Sequence, residues 1–281
     1  MSFPRVASDY APYRIWDCYG MLPRLASPSR PGATEASIEA MLRQLDRFSI
    51  ERFCPLLQTA AAPGSKAGAD DTPEMLRCLE RWRNRLLGIA TVHATDQAQA
   101  LADIERWIND GPMVGIYLPS SAQNVVCTHP NYDAIMRRTH ALGGIIFQHT
   151  WFKTGGKDST GESTPSELAE LARRHPDITF VCVHAGGEWE KGIRAVRDCG
   201  NVVVETSGFD PTAGFIELAV RELGAARIIY GGHFPGRSFG TELSKVVGAE
   251  ISEADRFLIF GENFRRLLQP ILARKGRSLD P

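Results

Sequence analysis

Eight short apolar or β-branched runs, each followed by a longer segment of helical periodicity, constrain this chain more than any other feature. The runs are Arg14 to Cys18, Arg52 to Leu57, Leu87 to Val92, Val114 to Leu118, Gly144 to His149, Thr179 to His184, Val202 to Glu205 and Arg227 to Tyr230. Between them apolar residues recur three or four apart, as in Ile38-Met41-Leu42-Leu45 and Leu101-Ile104-Trp107-Ile108, which is the spacing of one helix face. Helix-start signals sit where this pattern needs them. Ser163-Thr164-Pro165 precedes Leu168 and Leu171, Asp210-Pro211-Thr212 precedes Phe215 to Val220, and Ser252 opens a last helix over Glu253 to Leu268. Eight alternations without a break in composition predict an α/β fold of one closed (β/α)8 barrel, not two doubly wound domains. The barrel is expected to occupy residues 1–281 as a single domain, with its core over residues 14–268.

The 281 residues are enough to bury such a core. With 32 Lys and Arg against 33 Asp and Glu the formal net charge is −1, so no basic field draws the chain to nucleic acid or anionic lipid. A small-molecule substrate is the expected partner, with no nucleic acid and no membrane, and a homodimer is a further expectation. No apolar stretch is long enough to span a bilayer and no signal-peptide pattern opens the chain. The six cysteines (18, 54, 78, 127, 182 and 199) form no Cys-x-x-Cys pair, which reads as reduced thiols in a cytoplasmic protein. Two segments read as long loops. Ala60 to Thr72 is rich in Ala, Gly and Asp, and Lys153 to Ser163 follows the fifth run. In a barrel the second would form a lid or rim on the C-terminal face, where active sites sit; its glycines lack phosphate-loop spacing.

The chemistry-bearing residues gather at strand ends. The fifth run closes Phe147-Gln148-His149, the sixth Val183-His184-Ala185-Gly186-Gly187, the seventh Val204-Glu205-Thr206-Ser207 and the eighth Tyr230-Gly231-Gly232-His233. With the ending Gly261-Glu262-Asn263-Phe264-Arg265-Arg266-Leu267-Leu268, this order resembles the amidohydrolase superfamily, in its amidohydrolase 2 branch of metal-dependent hydrolases and decarboxylases, from Ile15 to Leu268. The resemblance implies the same (β/α)8 barrel. It also implies a divalent ion, zinc above all, held by two histidines of an Asp-x-His-x-His strand end, a histidine ending strand five and an Asp on strand eight. Here the first strand reads Asp17-Cys18-Tyr19-Gly20-Met21 and the eighth carries His233, so His149 and His184 alone match directly and the metal motif is degenerate.

Residues 17, 19 and 21 share one strand face, so Tyr19 and Met21 are expected to point inward. A phenol with a pKa near ~10 is a reluctant ligand, and a thioether suits Cu(I) better than the ions of hydrolysis. What remains is a possible zinc site of His149, His184 and His233, three imidazoles and a water. Catalysis is expected from His184 and His233 with or without that ion, and substrate contacts from Tyr19, Trp151 and Arg237, the last as a carboxylate anchor. Glu205 reads equally as a spare site carboxylate or as the partner of a barrel arginine. Asp17 reads as a hydrogen-bonding anchor in preference to an acid or base. His93 is expected to be a hydrogen-bonded structural residue, and His129, His140 and His175 to face solvent. Two functions fit. One is an enzyme that hydrolyses or decarboxylates a small organic acid, lactone or amide at the barrel mouth. The other is a catalytically inactive barrel that has lost its metal and binds a ligand or partner.

Overall fold

A computed structural model describes residues 10–23, 35–57, 72–119, 125–208 and 212–279. In chain order they form β1 (Ile15–Gly20), α1 (Glu35–Arg47), β2 (Ile50–Leu57), α2 (Thr72–Arg81), β3 (Ile89–Thr91), α3 (Gln97–Ile104), β4 (Gly115–Leu118), α4 (Asn131–Ala141) and β5 (Ile145–His149). There follow α5 (Pro165–Arg174), β6 (Phe180–Val183), α6 (Trp189–Ala195), β7 (Val202–Glu205), α7 (Phe215–Leu223), β8 (Ile228–Ile229), α8 (Phe239–Val247), α9 (Glu253–Phe257) and α10 (Asn263–Arg274). The eight strands are parallel and lie in sequence order, a single (β/α)8 barrel. Each of the eight expected runs overlaps one strand, with β1 running on past Cys18 to Gly20 and β2 starting ahead of Arg52 at Ile50. The loop expected over Ala60 to Thr72 lies outside the described residues up to Asp71, as do Asp210 and Pro211.

Strands buried on both faces read as near-continuous apolar runs, and β1, β6 and β7 are buried along their whole length, with Asp17 and Glu205 as the charged exceptions. The ring closes between β8 and β1 through backbone bonds, Cys18 N to Tyr230 O at 3.0 Å, His233 N to Tyr19 O at 2.8 Å and Met21 N to Phe234 O at 2.6 Å. This seam brings residues of the first and last strands together at the mouth. Among the described residues no helix is long and apolar enough to cross a membrane. All six thiols are free and buried.

Local signals place the helices. Thr164 and Glu167 form a reciprocal capping box at the start of α5, and the Ser252 side chain accepts from Asp255 N at 3.1 Å to open α9. The expected last helix runs past Leu268 to Arg274, interrupted by a π turn over Leu258–Glu262. That turn delivers Asn263, whose buried amide donates to Ala225 O at 2.7 Å and Ile228 O at 2.8 Å, pinning α10 to β8. His175 does not face solvent. It is 2% exposed and meets Asp133 Oδ1 at 2.7 Å where α5 ends, whereas His129 and His140 are exposed.

Gly192 in α6 lies against the carbonyl of Ala185, the residue after His184; a Cβ there would come 1.8 Å from that oxygen. Gly192→Ala is therefore expected to lower stability by ~1–3 kcal/mol through forced displacement of the segment, read as a drop in the urea midpoint at unchanged m-value.

Candidate active site at the barrel mouth

Two fully buried carboxylates shape the mouth from below. At the β8–β1 seam, Asp17 Oδ1 accepts from Tyr19 N at 3.1 Å and Gly232 N at 2.8 Å. Position 232 admits only glycine, because a Cβ would stand 2.2 Å from Asp17 Oδ2. Burial pushes the Asp17 carboxyl well above the ordinary carboxylate range. Asp17 is thus the anchor expected of it, and it holds the backbone beside both Tyr19 and His233. At the β6–β7 pair, Glu205 Oε1 accepts from His184 N and Oε2 from Ser207 N, both at 2.9 Å. The Glu205 partner is a histidine and backbone amides, not the barrel arginine that was one of its two readings.

The same Glu205 oxygen lies 2.8 Å from His184 Nδ1, and Ser207 O lies 2.9 Å from that nitrogen. Two acceptors on Nδ1 place the ring proton there, so the free nitrogen of neutral His184 is Nε2. His184 itself has φ 66° and His233 φ 47°, a left-handed turn that non-glycine residues adopt at functional bends. Burial alone would raise the Glu205 carboxyl, but the His184 imidazole and the Ser207 amide hold it down to about 2.

Around His184 the aromatic rings close in. The centroid of His149 lies 5.1 Å away, those of His233 and Tyr19 at 5.2 Å each, and that of Trp151 at 6.0 Å. Tyr19 also lies 5.2 Å from His233, and Tyr117 sits 6.3 Å from His149 and 5.8 Å from Tyr19. Burial and the neighbouring imidazole push His149 down to about 3 and His233 to about 4, so both are neutral at physiological pH. Burial raises Tyr117 to about 12 and Tyr19 well above its usual value, so both phenols keep their protons. Half-buried Arg237 stands at the rim; its backbone donates to His233 O at 3.0 Å and its charge helps lower His233.

The Lys153 to Ser163 loop is fastened beside the mouth as a rim. Trp151 N donates to Ser163 O at 2.9 Å and Gly155 N to Glu188 Oε1 at 3.2 Å. Tyr19, Trp151, His149, His184 and His233 thus belong to one cluster of ring contacts, while Met21 lies beyond the end of β1 and packs, partly buried, on the core. His93 is not hydrogen-bonded as expected, since both its ring nitrogens are buried without a partner. Sequence reasoning missed Tyr117, although it shares a strand face with Gly115 by the two-residue period.

A sequence model of the family described as Amidohydrolase matches residues 23–269. The chain belongs to the amidohydrolase family. A search of curated proteins finds no match. Among solved structures, 2,6-dihydroxybenzoate decarboxylase from Rhizobium aligns with TM-score 0.65 at 18% identity, over 91% of this chain and 98% of that one. A dihydroxybenzoic acid decarboxylase from Polaromonas sp. JS666, with bound manganese and the inhibitor 2-nitroresorcinol, aligns with TM-score 0.65 at 18% identity over 82% and 85%. A probable 2-pyrone-4,6-dicarboxylic acid hydrolase from Acinetobacter baumannii, with citric acid bound, gives 0.62 at 15% over 91% and 99%. At these identities the likeness concerns the fold.

The donor set can be tested against the divalent ion that this family implies. Pairwise, His184 is near enough to His149 and to His233 for two imidazoles to share one small ligand. Among the described residues, however, no three His, Cys, Asp or Glu side chains converge in a geometry that could hold an ion. A phenol, a reluctant ligand, stands at position 19 where the resemblance implies an imidazole. The residues present do not fit a three-histidine zinc site.

Glu205 carries a pH signature. Its folded pKa of about 2 lies below the ~4.3 of an unfolded glutamate, so its stabilisation is complete above ~4.3 and is lost as pH falls towards 2. Wild type is expected to exceed Glu205→Gln by roughly 1–3 kcal/mol in urea unfolding at pH 6–8. The gap should narrow below about pH 4.5 as the unfolded carboxylate takes up its proton while the native one stays ionised until about pH 2.

Proposed function

We propose that this barrel is an enzyme that hydrolyses a small carboxylated lactone, ester or amide at its C-terminal mouth, with His184 as general base. The observation that carries the reading is the clamp on His184 Nδ1 by Glu205 at 2.8 Å and Ser207 O at 2.9 Å. A clamped imidazole with a free Nε2 is how a histidine is prepared to accept a proton from water. Neutral His184 takes a proton from water as the water oxygen bonds to the substrate carbonyl carbon. The bond from that carbon to the leaving oxygen or nitrogen then breaks, and the same proton passes from His184 to the leaving atom. Glu205, buried beneath, stabilises the imidazolium in between. His233, neutral and 5.2 Å from His184, positions the water or leaving group. Trp151 walls the chamber and Arg237 holds a substrate carboxylate at the rim. Fold neighbours that handle pyrone-dicarboxylic and dihydroxybenzoic acids support a small carboxylated ring as the substrate class.

A second reading, a non-catalytic barrel that binds a small ligand or partner, draws on Tyr19, whose buried phenol occupies the strand-one position of an expected ligand. A panel separates the two. Tag-free protein is incubated with carboxylated lactones, aryl esters, amides and dihydroxybenzoates, and products are followed by chromatography and carbon dioxide release. The expected result is ring opening or acyl hydrolysis, with kcat reduced ~10²–10⁴-fold in His184→Asn. Arg237→Ala should raise KM for the carboxylated substrate about tenfold with kcat little changed. Carbon dioxide release alone would replace hydrolysis with decarboxylation, and ligand binding without turnover across the panel would favour the second reading.

A further inference from the structure

Two phenols face each other in the mouth, Tyr19 from β1 and Tyr117 from β4, and the Tyr19 hydroxyl donates to the Tyr117 oxygen at 3.5 Å. This is long for an O–H···O bond, which settles near ~2.7 Å. The Tyr117 hydroxyl proton has no acceptor among the described residues. Two donors on a 3.5 Å base leave room for a third oxygen, about 2.7 Å from each, to accept from both. Neither ring is free to swing. Tyr19 packs between His184 and His233 at 5.2 Å from each, and Tyr117 stands perpendicular to His149 at 6.3 Å. Their backbones are fixed as well, Tyr19 by Asp17 and by His233 N, and Tyr117 within the β3–β4–β5 ladder. Donors held in place before the reaction are what makes an oxyanion site effective.

We infer that Tyr19 and Tyr117 are an oxyanion-binding pair for the substrate carbonyl oxygen, supplying the polarisation that the resemblance assigns to a metal ion. The inference rests on the hydrolytic reading and completes it. When water adds under His184, the carbonyl π pair moves onto oxygen, where the two phenols donate to it. The pair returns to re-form the carbonyl as the bond to the leaving atom breaks, and the phenols keep their protons throughout. The misfit of the histidines to a three-ligand ion and the presence of a paired donor beside them then have one explanation.

The test uses 4-nitrophenolate, a coloured oxyanion whose visible band shifts to shorter wavelength when its oxygen accepts hydrogen bonds. Wild type is expected to bind it with that shift. Tyr19→Phe and Tyr117→Phe should each weaken binding about tenfold, and the double variant should lose the shift with far-UV circular dichroism unchanged. Calorimetric titration of tag-free wild type with zinc chloride and with manganese chloride should give no stoichiometric binding. With a substrate from the panel, Tyr19→Phe should lower kcat ~10²–10³-fold, and EDTA should leave turnover unchanged within experimental scatter. An equal shift in the double variant, no shift with wild type, or stoichiometric zinc or manganese binding would overturn the inference. The probe and metal arms need no turnover, so their failure is distinguishable from failure of the hydrolytic reading. The metal titration also decides the matter should a variant not fold.

Discussion

Everything at the mouth depends on two carboxylates that accept backbone amides inside the barrel. Asp17 holds Tyr19 N and Gly232 N across the seam where the ring closes, and Glu205 holds His184 N and Ser207 N across the neighbouring strand pair. A buried carboxyl without partners would be costly by several kcal/mol. Held by backbone donors, Asp17 through Oδ1 alone since its Oδ2 is buried without a partner, each becomes a rigid fixture whose position is that of the strands. The side chains one or two residues further on inherit that rigidity. Tyr19, His184 and His233 are therefore placed by the scaffold's own hydrogen bonds.

The surroundings of these fixtures set the protonation pattern. Desolvation favours neutral forms, and it acts in the same sense on His149, His233, Tyr19 and Tyr117. Glu205 departs from the pattern because its carboxylate is met by an imidazole and an amide. The result is a chamber of neutral hydrogen-bonding rings with one negative charge directly behind His184. Glu205 lies 2.8 Å from His184 Nδ1 and acts on His149 and His233 only through space, so three histidines of similar appearance in the sequence are unequal in chemistry.

The barrel itself was legible in the sequence because strand and helix periods differ and alternate eight times. Boundaries were less so. The eighth strand, expected over Arg227 to Tyr230, is only Ile228–Ile229, since Gly231 and Gly232 leave the ladder to bring their amides to Asp17 and the adjoining loop. His149, His184 and His233 could be found as strand-end residues. Tyr117 could not, because a tyrosine inside an apolar strand reads as packing until the fold sets it against Tyr19, 98 residues away in sequence. His175 misled for the opposite reason. Its sequence neighbours Pro176 and Asp177 suggest a loop, but the ring turns back to Asp133 on α4, a partner 42 residues distant. Pairings made by topology are invisible to local pattern, and they account for the correction at Glu205 as well.

In the hydrolytic reading, a phenol at position 19, where the resemblance implies an imidazole, changes what kind of reaction the mouth can support. An ion polarises a carbonyl through charge and needs anionic or imidazole ligands gathered on one point. Paired phenols polarise through two oriented dipoles and need only a dry, rigid setting, since hydrogen bonds strengthen as local dielectric falls. On the same reading, charge separates between an imidazolium at His184, backed by Glu205, and an oxyanion held by Tyr19 and Tyr117. A substrate carboxylate placed between them would oppose that separation by adding negative charge where the oxyanion forms. It must therefore lie at the rim, where the Arg237 charge already acts on His233. The substrate is then oriented by electrostatics alone, with its acid outward and its scissile carbonyl inward.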